Sequence, residues 1–223
     1  MSAFTVGDMP RTVDDDVLRA LVASSTATLG HLTDFGFVRG LSPVGPVHTF
    51  AGPALTVRIP HADSTAVHHA LSLVRPGDVI VIDQSGDDDR SSFGGTLAAI
   101  ASDAGAVAAV ATGRTNDVHE IRALGFPVFS RGATPLTTRI LGLEGQINVP
   151  VAVGGVVVTP GDVIFGDGDG VCVLPRADAA RLSAMVARLD ADPVVQSLRD
   201  TVAQGTPLGT ITGAAGYFEE ATA

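Results

Sequence analysis

The sequence predicts a single α/β domain spanning residues 1–223, with a core at about 20–175 and C-terminal helices at about 176–204. Three observations predict it. Apolar strand-like runs alternate with helix-like runs through the middle of the chain, a pattern that favours parallel strands joined by helices. From residue 149 short apolar strands follow one another directly. The stretch from Arg176 to about Gln204 is helical, interrupted near Pro193.

Each element has a local reason. A helix is expected over 12–29: Thr12 can cap it, and Asp14, Asp15 and Asp16 in the first turn suit the helix dipole. Val13, Val17, Leu18, Leu21 and Val22 supply its apolar stripe. The Gly- and Pro-rich stretch 43–53 reads as a loop, and Ala54 to Ile59 as a strand. Ser64 can cap a helix running to about Leu73. Asp78 to Ile82 is a continuous apolar strand of the kind buried on both faces. After the acidic loop Asp87-Asp88-Asp89 come a helix from Gly95 to Ala104, a strand from Ala106 to Ala111, a helix from Asp117 to Leu124 and a strand from Pro127 to Phe129. Four strands then follow: Val149–Val153, Val156–Val158, Val163–Phe165 and Val171–Leu174. Arg75-Pro76-Gly77-Asp78-Val79-Ile80 is echoed by Thr159-Pro160-Gly161-Asp162-Val163-Ile164. Pro then Gly fits the two central positions of a type II turn, so each copy launches a strand from a tight turn.

Composition narrows the chemistry. Net charge is −10, which sets the chain against nucleic acid and anionic membranes. No apolar stretch approaches the roughly 20 residues that span a bilayer, and the N-terminus lacks the pattern of a signal peptide; a soluble, cytoplasmic protein is expected. All 14 basic residues are Arg. Schiff-base aldolases, lysine-anchored pyridoxal phosphate enzymes and lysine-bearing phosphate loops are therefore excluded. The single cysteine, Cys172, allows no intrachain disulfide and no multi-cysteine metal site.

The most informative stretch is Phe93 to Asp117. It places the pair Gly94-Gly95 at a helix start, then a helix, a strand, a Gly-containing turn, and Asp117 opening the next helix. A helix start with two glycines exposes unpaired N–H groups that can bind a carboxylate or phosphate. Close helix packing explains the same glycines, and helix capping explains Asp117. His61, Asp63, His68 and His69 have residue types that bind transition metals, although His68 and His69 face different ways on a helix. Asp167 and Asp169 lie in a GDGDG turn that lacks the full calcium-loop pattern, and Cys172 reads as a buried strand residue.

The chain resembles the family of the regulator of ribonuclease E activity A and the class II 4-hydroxy-4-methyl-2-oxoglutarate aldolases. The resemblance rests on Gly94-Gly95-Thr96-Leu97, Gly113-Arg114-Thr115-Asn116-Asp117, Pro127-Val128-Phe129, Pro160-Gly161-Asp162 and Asp167-Gly168-Asp169-Gly170-Val171. Ala51-Gly52-Pro53-Ala54 and Pro76-Gly77-Asp78-Val79 also match, so it covers roughly residues 20 to 205 in order. It implies a swivelling-type β/β/α domain in a homotrimer or dimer of trimers, with a site between subunits. It further implies Mg²⁺ or Mn²⁺ held by Asp117, and a small 2-oxo acid bound by the amides around Gly94, Gly95, Thr96 and Leu97. The implied chemistry is retro-aldol cleavage with oxaloacetate decarboxylation. Such cleavage needs an iminium or a Lewis acid, and a chain without lysine has only the metal route.

The chain departs from the family pattern at two points: Asn116 replaces its arginine and Gly95 its acid. Asn cannot provide the charged, bidentate clamp that Arg gives a carboxylate. Arg114, two residues earlier, is the candidate to take over, so Arg114, Asn116 and Asp117 form the expected catalytic set. Glu120, one helical turn beyond Asp117, can join the outer shell of the metal. Aldolase members also draw a Glu from a neighbouring subunit's C-terminal region; Asp190, Asp192, Glu219 and Glu220 are the acids available here. A non-catalytic regulator or ligand-binding trimer is the competing expectation.

Overall fold

The computed structural model describes residues 3–10 and 13–220, the last two by backbone only. The cap expected at Thr12 lies outside the described residues. The chain forms β1 (Phe4–Val6), α1 (Asp15–Val22), α2 (Thr26–Gly30), β2 (Ser42–Pro43), β3 (Phe50–Pro60) and α3 (Thr65–Ala70). Then come β4 (Val79–Ser85), β5 (Ser91–Phe93), α4 (Gly95–Asp103), β6 (Ala108–Ala111), β7 (Arg114–Thr115), α5 (Val118–Leu124) and β8 (Val128–Ser130). The strands β9 (Gly145–Ile147), β10 (Val151–Val153), β11 (Val156–Val158), β12 (Val163–Asp167) and β13 (Gly170–Leu174) follow. Four helices close the chain: α6 (Ala179–Asp190), α7 (Pro193–Ala203), α8 (Leu208–Thr212) and α9 (Ala214–Glu220).

The main sheet runs β1-β9-β3-β4-β6-β8-β2, and β12 with β13 attaches to β3. The strands β3, β4, β6 and β8 are parallel neighbours, as the alternating sequence pattern predicts. The sheet is covered on both faces. Leu55, Val57, Ile80 and Ile82 face α3, α4 and α5, while Ala54, Val79 and Val81 pack toward Val151, Val153 and Val158 of the β10–β11 hairpin. A third cluster joins Phe165 and Leu174 to Leu21, Leu29 and Leu182 of the helices α1, α2 and α6.

Both Pro-Gly turns form as expected, with Gly77 and Gly161 at φ 92° and 81°. The following aspartate repeats one further detail in each: Asp78 Oδ2 accepts from Arg75 N at 2.8 Å, and Asp162 Oδ2 from Thr159 N at 2.8 Å. Other expectations need correction. The helix expected over 12–29 breaks at Ser25, whose extended backbone and Oγ cap the next helix by accepting from Thr28 N at 3.1 Å. Serine competes well for such cap positions. Stretch 43–53 is not loop to its end, because β3 starts at Phe50. There it pairs antiparallel with β12 before turning to parallel pairing with β4 from Ala54. Gly52 permits this: a Cβ there would lie 2.0 Å from the Gly77 carbonyl oxygen. The helices α7 and α8 contain no buried residue, and Val194, Val195 and Leu208 are exposed.

Candidate active site

The short parallel pair β5–β7 sets the site. It aligns Ser91 with Arg114 and Phe93 with Thr115, and so brings Gly94-Gly95 beside Asn116-Asp117. Thr115 Oγ1 donates to the Phe93 carbonyl and locks the register. A side chain at either glycine would have to displace the groups around Asp117. A Cβ on Gly94 would lie 2.3 Å from Asn116 Oδ1, and one on Gly95 would lie 2.3 Å from Glu120 Oε2 and 2.8 Å from Asp117 Cβ.

Asp117 stands at the N-cap position of α5, but its side chain does not cap the helix. Its backbone is left-handed at φ 56°, a conformation uncommon outside glycine. The carboxylate turns instead toward α4. Oδ2 accepts from Gly95 N at 3.3 Å and from Asn116 Nδ2 at 2.6 Å, while Asn116 Oδ1 accepts from Ser91 Oγ at 2.6 Å. Both bonds fall on Oδ2, so among the described residues Oδ1 is left for another ligand. The amides of Thr96 and Leu97 open α4 ahead of its first helical bond, Ala98 N to the Gly94 carbonyl at 2.9 Å.

These groups border a cleft of about 210 Å³ whose lining includes Gly94, Thr96, Leu97, Asn116 and Asp117. The lining also includes His68, Ser64, Thr137 and Thr138. His68 comes from the end of α3, and the two threonines from the extended segment between β8 and β9. A second groove, about 560 Å³, shares Asn116, Asp117 and Thr137 and continues along Ala133, Thr134 and Pro135.

Arg114 does not line the cleft. Its Nε lies 3.6 Å from Asp89 Oδ1, and its Nη1 donates to the Arg131 carbonyl at 3.4 Å. Two further arginines hold the same acidic loop: Arg90 pairs with Asp87 at 3.2 Å and Arg131 with Asp88 at 3.2 Å. Held by Asp89 and the Arg131 carbonyl, the guanidinium is not carried to Asp117.

The histidine cluster disperses. His61 turns at φ 32° and packs its ring against Gly86. Asp63 is fully buried and accepts from Thr65 N, Leu141 N and Leu143 N at 2.9, 3.0 and 2.7 Å. Burial alone would raise its pKa; the bonds from Thr65, Leu141 and Leu143 together outweigh burial and hold it at about 2. Only His68 of that cluster reaches the cleft, and sequence reasoning did not single it out there. The signal was present: His68 lies on the exposed face of α3, between buried Val67 and buried Ala70. Asp167 accepts from Thr26 N and Oγ1, both at 2.7 Å, so the GDGDG stretch is the β12–β13 turn anchored to α2. Burial pushes the Cys172 thiol up to about 12, which leaves it unreactive. Asp190 accepts from Ser24 Oγ and Thr28 Oγ1, and Asp192 Oδ1 caps α7 through Val194 N at 2.8 Å.

No three His, Cys, Asp or Glu side chains among the described residues form a metal-binding group. A closed cage is not what Mg²⁺ requires. It keeps several waters and takes one or two carboxylates. Asp117 with Oδ1 free, and Glu120 converging on the same glycine, fit that pattern.

A family described as RraA-like, Aldolase/RraA, matches residues 15–173. The chain belongs to the Aldolase/RraA family. It is 38% identical over 152 residues, covering 68% of the chain and 72% of the relative, to a Halalkalibacterium halodurans protein named "Putative 4-hydroxy-4-methyl-2-oxoglutarate aldolase". Among solved structures it resembles Streptomyces coelicolor RraAS2, described as an unusual member of the RNase ES inhibitor RraA family. That similarity has a TM-score of 0.72 at 27% identity, over 88% of this chain and all of that one (100%). An uncharacterised Pseudomonas syringae protein shares the fold, with a TM-score of 0.79 at 23% identity over 93% and 98% of the two chains. The RraA-like fold assignment thus agrees with the mixed α/β sheet and C-terminal helices seen here. Among the described residues, no helix is long and apolar enough to cross a membrane.

Proposed function

We propose that this protein is a divalent-cation-dependent carbon–carbon lyase of the aldolase/decarboxylase type, acting on a small 2-oxo acid. The observation that carries the reading is Asp117. It lines the cleft from a left-handed backbone beside the open end of α4, and Oδ1 takes no hydrogen bond among the described residues. Asp117 would hold Mg²⁺ or Mn²⁺, with Glu120 in reach of its waters. A bound cation of this kind polarises the 2-oxo group and takes up the charge that carbon–carbon cleavage leaves beside it. The N–H groups of Thr96 and Leu97 receive the substrate carboxylate, and Asn116 Nδ2 orients Asp117. Ser91 fixes the Asn116 amide by donating to Oδ1, so Nδ2 is directed at the metal ligand. The relatives named as aldolases support the reaction class. The assembly is a cytoplasmic trimer or dimer of trimers, which accords with the uncovered apolar side chains of α7 and α8. Sedimentation at micromolar concentration tests it, and a monomer alone would refute it.

The reaction itself is tested without choosing a substrate tail. Pyruvate in deuterium oxide, with Mg²⁺ or Mn²⁺ and the protein, should exchange its methyl protons, followed by NMR. Exchange absent with either cation would remove the lyase reading. A second reading, a relative that binds ligands without turnover, is favoured by Asn116 standing where the family has arginine. It predicts cation binding with no exchange.

A further inference from the structure

We propose that His68 is the acid–base residue of the cleft: its imidazole takes the proton from the substrate hydroxyl as the carbon–carbon bond breaks, and returns it to the 2-oxo fragment. This rests on the lyase reading of the same cleft. Cleavage of a 4-hydroxy-2-oxo acid moves one proton from oxygen to carbon. As the hydroxyl gives up its proton, the O–H electron pair closes a new carbonyl on the departing fragment. The C3–C4 bond breaks, and its pair passes to C3 as the enolate of the 2-oxo fragment. The enolate then takes the proton at C3, so no other reactant is consumed. A side chain has to hold that proton between the two steps.

Few groups of this chain can do so. Among the described residues, the lining holds two side chains that gain or lose a proton readily, Asp117 and His68; the rest are hydroxyls, an amide and apolar groups. Asp117 is the cation ligand in the lyase reading. Arg139, exposed and next to Thr138, stays protonated, so it can attract an anion but cannot accept a proton. Asp63, just before α3, is buried and its oxygens are taken by Thr65, Leu141 and Leu143. The Glu120 carboxylate lies over Gly95 and outside the lining. The chain has no lysine to serve instead.

The local fold aims His68 at the cleft. Ser64, one turn earlier, also lines it, and His68 N donates to the Ser64 carbonyl at 3.1 Å. Residues four apart share a helix face. The ring therefore lies on the face that Ser64 presents to the cleft, while Val67 and Ala70 are buried in the core. Backbone ties hold this helix to the segment that carries Thr137 and Thr138. Ser64 N donates to the Arg139 carbonyl at 2.8 Å, and Asp63 accepts from both Thr65 N and Leu141 N. The ring makes no hydrogen bond or ion pair among the described residues, and the position is exposed. A proton on it therefore exchanges with water. An imidazole is the side chain suited to take and release a proton near neutral pH.

Pyruvate methyl exchange in deuterium oxide reverses and repeats the last of these proton transfers, so it reports on the residue directly. With Mg²⁺ or Mn²⁺ present, His68→Ala should lower the exchange rate about a hundredfold or more. Its Tm and its Mn²⁺ affinity by calorimetry should match the wild type. Free imidazole added to His68→Ala should restore exchange in proportion to its concentration and leave the wild-type rate unchanged. His69→Ala, on the same helix but outside the lining, should exchange at the wild-type rate. Wild-type exchange in His68→Ala would overturn the proposal. So would a loss that imidazole does not rescue, which marks a packing role, or a loss of Mn²⁺ affinity, which marks a cation ligand. The two readings fail separately. Wild-type exchange that His68→Ala retains sinks this role and leaves the lyase reading standing. A wild type that exchanges with neither cation sinks the lyase reading and this role with it.

Discussion

Asp63 and Asp117 both lie just before a helix, yet they do opposite things. Asp63 is fully buried and takes donors on both oxygens, from Thr65, Leu141 and Leu143. It pins the extended segment that carries Thr137 and Thr138. Asp117 is exposed, and one of its oxygens has no donor among the described residues. The difference teaches how to tell a structural carboxylate from a functional one in this fold. A saturated carboxylate is a fastening, whereas one held by a single oxygen in a strained backbone is presented to something else.

The comparison can be broken by experiment. Asp117→Ala should abolish Mn²⁺ binding measured by calorimetry and leave thermal stability nearly unchanged, since the side chain caps nothing. Retained binding, with loss on changing His68 instead, would transfer the metal site to the α3 wall. Asp63→Asn should do the reverse. It sets an amide against donor N–H groups, and a pKa held about two units low corresponds to roughly 2 kcal/mol of stability. That stability is fully present above the ordinary carboxylate pKa near 4 and is lost as pH falls toward about 2. The variant should therefore have a lower Tm at neutral pH and a flatter acid limb below pH 4, by differential scanning calorimetry. Identical acid limbs would show that Asp63 fastens nothing.

Smaller effects sharpen the contrast. Gly95→Ala pushes a methyl group against Asp117 Cβ and the Glu120 carboxylate, and should cost about 1 kcal/mol. It should weaken Mn²⁺ binding more than it lowers Tm; the opposite ranking would make Gly95 a packing residue only. Ser24→Ala removes one of the two hydroxyls on Asp190 and should cost about 1 kcal/mol without touching cation binding. A change in cation binding there would tie Asp190 to the site.

Much of this was legible in the sequence where one local rule decided the outcome. The parallel strands, both Pro-Gly turns and the glycine pair beside Asp117 followed from periodicity, turn chemistry and motif. What escaped was set by contacts distant in the chain. Gly52 and Pro53 read as loop residues until β12 is known to lie against them. The fastening role of Asp63 was not legible, because its donors, Leu141 and Leu143, lie in a segment with no regular pattern. His68 emerged only when the fold placed the end of α3 across from α4. Arg114 was a candidate clamp by proximity in sequence, but the direction of its side chain depends on the β5–β7 pairing.

Strand β3 has one more consequence. It receives partners from β4, which follows soon after it, from β9 around residue 147, and from β12 around residue 164. During synthesis its residues 50–53 and one edge therefore wait unpaired until most of the chain has left the ribosome. Non-local pairing of this kind is slow to form and exposed to misassociation while it waits. Chains truncated before residue 174 should be the ones that recruit chaperones, while the finished protein, with β12 and β13 laid down on this strand, should not.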